Sequence, residues 1–231
     1  MDDDALLEEQ RAFYRARASE YDEWWLRQGR YDRGDNEARE WREQVAVVEA
    51  ALVAFGATGD VLELAGGTGW WTARLAETAT HLTVVDSSLE TLELNRERVG
   101  QAEIDYVVAD LFDWQPTRPY DVVFFSFWLS HVPRARFAAF WSLVRACLAP
   151  GGRVFLIDNC ADPEPRPRGK DPYVVAYGPD LHLRRLSDGS EFRVVKVMYQ
   201  PDELQSLIEA EGWRAEVQAT RWFLFGTAET R

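Results

Sequence analysis

The chain has 231 residues, 46% of them hydrophobic, which is enough for one sizeable core and predicts a single α/β domain. Its formal net charge of −13 would repel a polyanion over most of the surface, so neither nucleic acid nor an anionic membrane is an expected partner. Two cysteines without C-x-x-C spacing argue against a disulfide framework or a metal site, and no apolar run approaches the ~18 residues of a membrane span. With an acidic start where a signal peptide would be basic, we expect a cytoplasmic protein, monomeric or homodimeric.

Two helical segments precede the first predicted strand. Residues 2 to about 28 place apolar side chains on one helical face, with three acids at the favourable end of the helix dipole. A second helix is expected from Asp35 to Phe55, where Gly56 ends it. We therefore expect residues 1–56 to form an N-terminal helical cap and residues 57–231 to form the core of the same domain.

A glycine-rich corner follows the first predicted strand. The apolar run Val61 to Leu64 is typical of a strand buried on both faces, and Ala65 to Gly69 then turns the chain into a helix. Glycine admits positive φ and a close approach of a ligand, and the helix would begin with free N–H groups at that ligand. A dinucleotide loop requires G-x-G-x-x-G/A, and Thr72 stands at its third small position, so the fit to a pyrophosphate is imperfect. A plain βα turn is the alternative.

An acid ends the second predicted strand, His81 to Asp86. Asp86 lies roughly 20 residues beyond the glycine corner, where a nucleoside ligand places its ribose, so it is a candidate partner of the ribose hydroxyls. More than one nucleoside cofactor fits this position. Alternatively, Asp86 only precedes Ser87, which would cap the next helix together with Glu90.

The glycine corner and the N-terminal helix share a resemblance. Glu63 to Gly69 resembles the E/D-x-G-x-G-x-G signature of class I S-adenosylmethionine (SAM)-dependent methyltransferases, with Ala65 in place of the first glycine. Phe13-Tyr14 followed by Tyr21-Asp22 is similar to the segment that caps the cofactor in small-molecule members of that family.

Two later motifs extend the resemblance over nearly the whole chain. After the third predicted strand, Ile104 to Ala109, the pair Asp110-Leu111 stands where the family meets the adenine amino group and packs on its ring. Leu148 to Gly152 matches the family's L-x-P-G-G turn before a buried fifth strand. The resemblance implies SAM as cofactor. The residues it places at SAM are Tyr14, Tyr21, Glu63, Ala65, Gly66, Gly67, Gly69, Asp86, Ser87, Asp110, Leu111, Phe112 and Ser126.

The segment after the fourth predicted strand, Tyr120 to Ser126, is where a doubly wound sheet places its chemistry. A nucleic-acid amino methyltransferase would show an Asn/Asp/Ser-Pro-Pro-Tyr/Phe turn there, and Phe127 to Pro133 lacks it and resembles small-molecule members. His131 in this segment is a candidate general base, because an ordinary pKa near 6.5 lets its neutral imidazole take a proton. A capping or packing role is the alternative.

The acceptor pocket is expected to include aromatic side chains. The ten tryptophans suggest an apolar or aromatic acceptor, although protein cores also use aromatic residues. A proline-rich loop, residues 159–180, is expected to form a flap over the acceptor. Helix packing remains an alternative for the N-terminal tryptophans. The predicted pocket residues are Trp24, Trp25, Trp128, His131, Tyr173 and Tyr177.

The remaining segments complete the expected fold. Residues 181–199 alternate as a hairpin, a helix begins at Pro201, and a last strand is expected from Trp213 to Phe225. The resemblance implies a Rossmann-like seven-stranded, mostly parallel sheet with a reversed terminal strand pair, helices on both faces and two extra N-terminal helices. The expected reaction is methyl transfer from SAM to an oxygen or nitrogen of a small molecule. The alternatives are a SAM-binding regulator without turnover and an NAD-dependent oxidoreductase.

Overall fold

The computed structural model describes residues 3–160, 174–176, 178 and 180–231. One sheet holds strands β1 to β5 and the terminal pair, and a separate small sheet holds β6 to β8. The strands are β1 Gly59–Leu64, β2 Ala79–Asp86, β3 Ile104–Val108, β4 Tyr120–Ser126, β5 Leu148–Asn159, β6 Val174–Ala176, β7 Leu181–Arg185, β8 Glu191–Val195, β9 Trp213–Ala219 and β10 Phe223–Thr230.

Helices cover both faces of the main sheet. They are α1 Asp3–Arg17, α2 Tyr21–Leu26, α3 Asp35–Phe55, α4 Trp70–Leu75, α5 Leu89–Val99, α6 Phe137–Cys147 and α7 Pro201–Ala210, with short 3₁₀ turns at Ala18–Glu20, Gly29–Tyr31, Leu129–His131 and Arg134–Arg136. The expected helix over residues 2–28 is interrupted. A 3₁₀ turn separates α1 from α2, and Arg27 ends α2 with a left-handed φ of 57°.

The main sheet has the strand order β3-β2-β1-β4-β5-β10-β9. Strands β1 to β5 run parallel, while β10 is antiparallel to β5 and β9 is antiparallel to β10. This confirms the Rossmann-like sheet with a reversed terminal pair. The expected single strand from Trp213 to Phe225 is instead the hairpin β9–β10, and the earlier hairpin of residues 181–199 belongs to the small sheet beside it.

Two hydrophobic clusters pack on opposite faces of the main sheet. Along β4, Val123 and Phe125 face the cluster that includes α6 and α7, while Val122 and Phe124 face the cluster that includes α3 and α4. Such alternation with apolar residues on both sides is what a parallel sheet covered by helices requires. Several tryptophan side chains are buried in these clusters; Trp141 and Trp213, for example, are 1% and 0% exposed.

The glycine corner packs closely against β2. A Cβ on Gly66 would lie 2.3 Å from Cγ1 of Val84, a fully buried side chain of β2. The glycine corner can therefore lie this close to β2 only if residue 66 has no side chain.

We predict that Gly66→Ala lowers the free energy of unfolding by about 3 kcal/mol, because the added methyl overpacks this contact. Val84→Ala removes the clashing Cγ1, so the same change should cost at least about 1 kcal/mol less in a Val84→Ala background. Urea unfolding of the four proteins of this cycle, without ligand, measures the coupling. Additive effects would show that the Val84 contact is not the cause.

Candidate functional site

A cavity opens at the carboxyl ends of β1, β2 and β4, under helix α1. In this fold class, neighbouring strands whose connections leave toward opposite faces create such a crevice at the β1/β4 junction. The predicted residues that line this main cavity are Tyr14, Tyr21, Ala65, Gly67, Asp86, Ser87, Asp110, Leu111, Phe112, Ser126, Trp128 and His131.

The floor of the main cavity is the glycine loop, whose backbone is fixed by Asp86. Ala65, Gly67 and Gly69 have φ values of 54°, 56° and 92°. For Ala65, which stands in place of a glycine, this left-handed conformation costs roughly 1–2 kcal/mol. Asp86 accepts hydrogen bonds from the N–H groups of Gly67 at 3.0 Å and Ser88 at 2.9 Å. Burial raises the pKa of this carboxyl, while those N–H donors lower it.

Glu63 lies behind the loop and does not line the main cavity. Its Oε2 accepts a hydrogen bond from the Thr72 hydroxyl at 2.6 Å, and that hydroxyl accepts one from Asn95 at 2.8 Å. Burial raises the pKa of Glu63 to about 8. Asn95 also donates to the carbonyl of Gly66 at 3.3 Å. Glu63 therefore supports the loop from β1, and Gly66 and Gly69 pack against β2 and α5 instead of lining the main cavity.

Asp110, Leu111 and Phe112 form the far wall of the main cavity. The Asp110 carboxylate accepts a hydrogen bond from the backbone N–H of Phe112 at 2.9 Å and forms an ion pair with Arg11 of α1. Leu111 is buried in the core cluster and presents one edge to the main cavity. A carboxylate beside an apolar surface is suited to a base that carries an exocyclic amino group.

Helix α1 closes the main cavity and is fastened by Gln10. The buried side chain of Gln10 donates to the carbonyl of His131 at 3.1 Å and accepts from the N–H of Val195 at 2.9 Å. These two bonds tie α1 to the turn after β4 and to β8. Tyr14, one helical turn along, is thereby held inside the cavity.

Both ring nitrogens of His131 are occupied. Nδ1 lies 2.7 Å from the Val195 carbonyl, which can only accept, so Nδ1 carries the proton. Nε2 is then an acceptor for the Tyr14 hydroxyl, which lies at 2.6 Å. Burial, and after it the charge of Lys196, lower the pKa of His131 well below its ordinary value. The imidazole is therefore neutral at pH 7, and its lone pair is bonded to Tyr14.

A second cavity, the side cavity, adjoins the main one and shares Tyr14, Tyr21, Phe127 and His131 with it. Trp24 lines the side cavity, while Trp25 is buried in the core cluster, stacked on Trp70 at 5.4 Å between ring centroids. Trp128 lies in the main cavity beside Phe112. Tyr173 and Tyr177 fall outside the described residues.

Several residues of the main cavity were not predicted from the sequence. They are Leu7, Gln10, Arg11, Ala18, Thr68, Thr91 and Phe127 in the main cavity. Those from the N-terminal segment share one helical face with Tyr14 and Tyr21, spaced three, four and seven residues apart, so helical periodicity measured from Tyr14 would have identified them. Phe127 gave no such signal: its φ of 52° is a property of the folded turn after β4.

Comparisons with known proteins agree with this geometry. A family described as a methyltransferase domain matches residues 61–152. Demethylmenaquinone methyltransferase of Clavibacter sepedonicus is 33% identical over 160 residues, which span 66% of this chain and 64% of that relative. Two solved complexes of DhpI each match 97% of this chain and 97% of the DhpI chain. The complex with SAM and HEP has 38% sequence identity and a TM-score of 0.79. The complex with S-adenosylhomocysteine (SAH) has 36% sequence identity and a TM-score of 0.78. The chain belongs to the class I SAM-dependent methyltransferases.

As a methyltransferase of this class, the chain uses SAM as its cofactor and methylates a small molecule. This decides against the NAD-dependent oxidoreductase. Among the residues described, no helix is long and apolar enough to cross a membrane. Within the same residues, no cluster of three or more His, Cys, Asp or Glu side chains could hold a metal ion.

Asp86→Ala should weaken SAH binding by about 1–3 kcal/mol, because charge-assisted hydrogen bonds of Asp86 to the ribose and to the loop would be lost. Isothermal titration calorimetry with SAH measures the change, and Asp113→Ala, an exposed acid of the loop after β3, is the matched control. Equal SAH affinity in the two variants would contradict a role of Asp86 at the cofactor.

Proposed function

We propose that this methyltransferase transfers the methyl group of SAM to an oxygen of a small acceptor that lies in the side cavity. The observation that carries the proposal is the junction of the two cavities, where Tyr14, Tyr21, Phe127 and His131 contribute to both walls. A donor in the main cavity and an acceptor in the side cavity would meet at this junction. The solved structure of DhpI in complex with SAM and HEP supports a site for a second molecule in addition to SAM.

The main cavity fits SAM in its shape and chemistry. A Cβ at Gly67 would meet no atom within 4 Å, so the loop leaves open space above its backbone. We assign the ribose hydroxyls to Asp86 and the adenine to Asp110 and Leu111. Ala65 and Gly67 of the loop and Tyr14 and Tyr21 of the cap would hold the methionine part. The role of Glu63 and Gly66 is to hold the loop from behind.

The residues of this chain accelerate transfer mainly by alignment. When bound, SAM supplies an electrophilic methyl carbon, so the protein must bring an acceptor oxygen in line with it and exclude water. Positioning of this kind can lower a barrier by about 7–11 kcal/mol. Tyr14 and Phe127 are placed at the junction to perform this alignment, and Gln10 and His131 keep Tyr14 in position.

The charge of the side cavity favours oxygen over nitrogen as the methylated atom. Arg17, Arg184 and Lys196 line it, and an amine would arrive as an ammonium ion that these side chains repel. An ionised oxygen would be attracted. The apolar or aromatic acceptor remains a prediction from the sequence. Trp24 and Trp41 also line the side cavity and support an acceptor with an apolar part.

We propose a positioning role for His131 in place of general base. The lone pair of its Nε2 already accepts the Tyr14 hydroxyl, so no nitrogen is available to a substrate proton while this hydrogen bond persists. Burial also raises the pKa of Tyr14, which makes its phenolate unavailable as a base. An acceptor that arrives already ionised would react without either residue as a base, because no proton has to be removed from it.

The domain organisation is proposed as the sequence suggests: a single domain with a cap formed by residues 1–56 on a core formed by residues 57–231. Helix α1 supports the cap assignment because Leu7, Gln10, Arg11 and Tyr14 form one wall of the main cavity. Helix α3, by contrast, packs its buried Trp41, Val48 and Leu52 into the core cluster.

The test of the proposed function is methyl transfer from ¹³C-methyl SAM to a small-molecule extract, followed by ¹³C NMR of the products. We expect a new O-methyl carbon signal, which chemical shift separates from N-methyl carbons. Asp86→Ala at limiting SAM should reduce the signal, which ties it to this cofactor site. An N-methyl product would contradict the oxygen assignment, and SAM binding with no labelled product would contradict turnover on a free small molecule.

For His131 we predict that His131→Ala lowers the turnover rate by about tenfold, corresponding to roughly 1.4 kcal/mol from the lost hydrogen bond to Tyr14. Tyr14→Phe should lower it similarly. Because the pKa of His131 is held low, any loss of rate on acidification belongs to the acceptor and should persist in His131→Ala. A general base would instead contribute ~10²–10⁴-fold to the turnover rate. Its removal would abolish the loss of rate on acidification near pH 6 to 7. The pH profiles of turnover for the three proteins decide between the two roles.

A further inference from the structure

The side cavity carries positive charge in a chain whose formal net charge is −13. Arg17, Arg184 and Lys196 line it together with His182. We infer that the acceptor is an oxyanion, of the carboxylate or phosphoryl class, that Lys196 and Arg17 bind in the side cavity. This deepens the proposed function, because it names the class of acceptor for the same site.

Lys196 is the most constrained of these cations. Its side chain is 6% exposed, and its ammonium group donates to the Ser130 hydroxyl at 2.7 Å and lies 3.8 Å from an oxygen of Asp158. Asp158 is itself held by the backbone N–H groups of Ser130 at 2.8 Å and Asn159 at 2.7 Å. The carboxylate is therefore shared among several donors and only partly balances the lysine. A second anion in the side cavity would complete the coordination of the ammonium group.

Nε of Arg17 and Nδ1 of His182 are buried at the side cavity, and neither has a hydrogen-bond partner among the described residues. A buried donor without a partner, such as Nε of Arg17, is uncommon and costs free energy of folding, so it indicates a ligand that satisfies it. An oxyanion offers several lone pairs to such donors at once.

The cations around the side cavity repel one another. Burial first, and after it the charges of Arg184 and Lys196, lower the pKa of His182 to about 4. Lys196 has a pKa lowered to about 8, first by burial, with Asp158 raising it and Arg184 and Arg17 lowering it. These cations therefore act on the same region, and an anion bound there would relieve their repulsion.

The carboxylate of Glu37 also lines the side cavity, as do Arg27 and Arg33. The guanidinium carbon of Arg27 lies 3.3 Å from the centroid of the Trp41 ring. Among the described residues, the lining thus holds five cationic side chains and one carboxylate.

An oxyanion acceptor needs no base at the junction, where the Nε2 lone pair of His131 is already bonded to Tyr14. One of its oxygens can form the new O–C bond with its own electron pair while the S–C bond breaks and that pair stays on sulfur. No proton has to leave. The methyl ester formed carries one negative charge fewer than the acceptor, so its attraction to Lys196 and Arg17 falls and its release is favoured.

The experiment uses the full chain saturated with SAH, titrated by calorimetry with inorganic phosphate, acetate or the neutral phenol at constant ionic strength. We expect phosphate or acetate to bind and phenol to bind more weakly; which anion binds more tightly separates a phosphoryl from a carboxylate acceptor. Arg17→Met should weaken anion binding by about 10- to 100-fold, the range for hydrogen bonds to charged groups. Arg15→Met, from the exposed part of the same helix, is the matched control and should leave it unchanged.

Lys196→Met should weaken anion binding to a similar extent, with SAH affinity within about twofold of the parent, because Lys196 does not line the main cavity. If this buried substitution prevents folding, the comparison of Arg17→Met with Arg15→Met decides alone. Equal anion affinity in those two variants, or tighter binding of phenol than of either anion, overturns the inference. Failure of the proposed function is a separate result: it would be SAH binding without any O-methyl product from the extract.

Discussion

The order of the parallel strands is the constraint from which the rest of the site follows. Strands β1 and β4 are neighbours in the sheet although β2 and β3 lie between them in sequence, so the connections after β1 and β4 diverge at the carboxyl edge. The divergence leaves a crevice that no side chain of the sheet itself can fill. The glycine loop enters it from one side and the turn from Phe127 to His131 from the other. A helix from outside the sheet, α1, must then cover what remains open.

The sequence predicted the parts of the fold that local patterns encode. Buried strands such as Val61 to Leu64 and His81 to Asp86 appear as apolar runs ending in an acid, and their order along the chain is enough to imply a parallel sheet. Asp86 was predicted as a ribose partner from spacing alone. In the structure its carboxylate also accepts a hydrogen bond from the backbone N–H of Gly67. The break after Arg17 was missed because nothing in composition interrupts the apolar periodicity there; tertiary packing of the α2 tryptophans decides it.

The side cavity could not be predicted, since its cations come from distant parts of the chain. Arg17 belongs to the end of α1, Arg184 to β7 and Lys196 to the residue after β8. Each, read alone, is an ordinary charged residue, and only the docking of the small sheet against α1 brings them together. The hydrogen bond from Tyr14 to His131 has the same origin: it joins residues 117 positions apart and changes the chemistry expected of the histidine.

Helix α1 contributes to both cavities, and this has a kinetic consequence. Leu7, Gln10 and Arg11 face the main cavity, Phe13 and Arg17 face the side cavity, and Tyr14 stands between them. Movement of α1 away from Val195 would therefore open both compartments in one step. We expect cofactor exchange and acceptor exchange to share a single gate, so that the spent cofactor and the methylated product leave during the same opening and the dwell time of α1 sets the pace of the cycle.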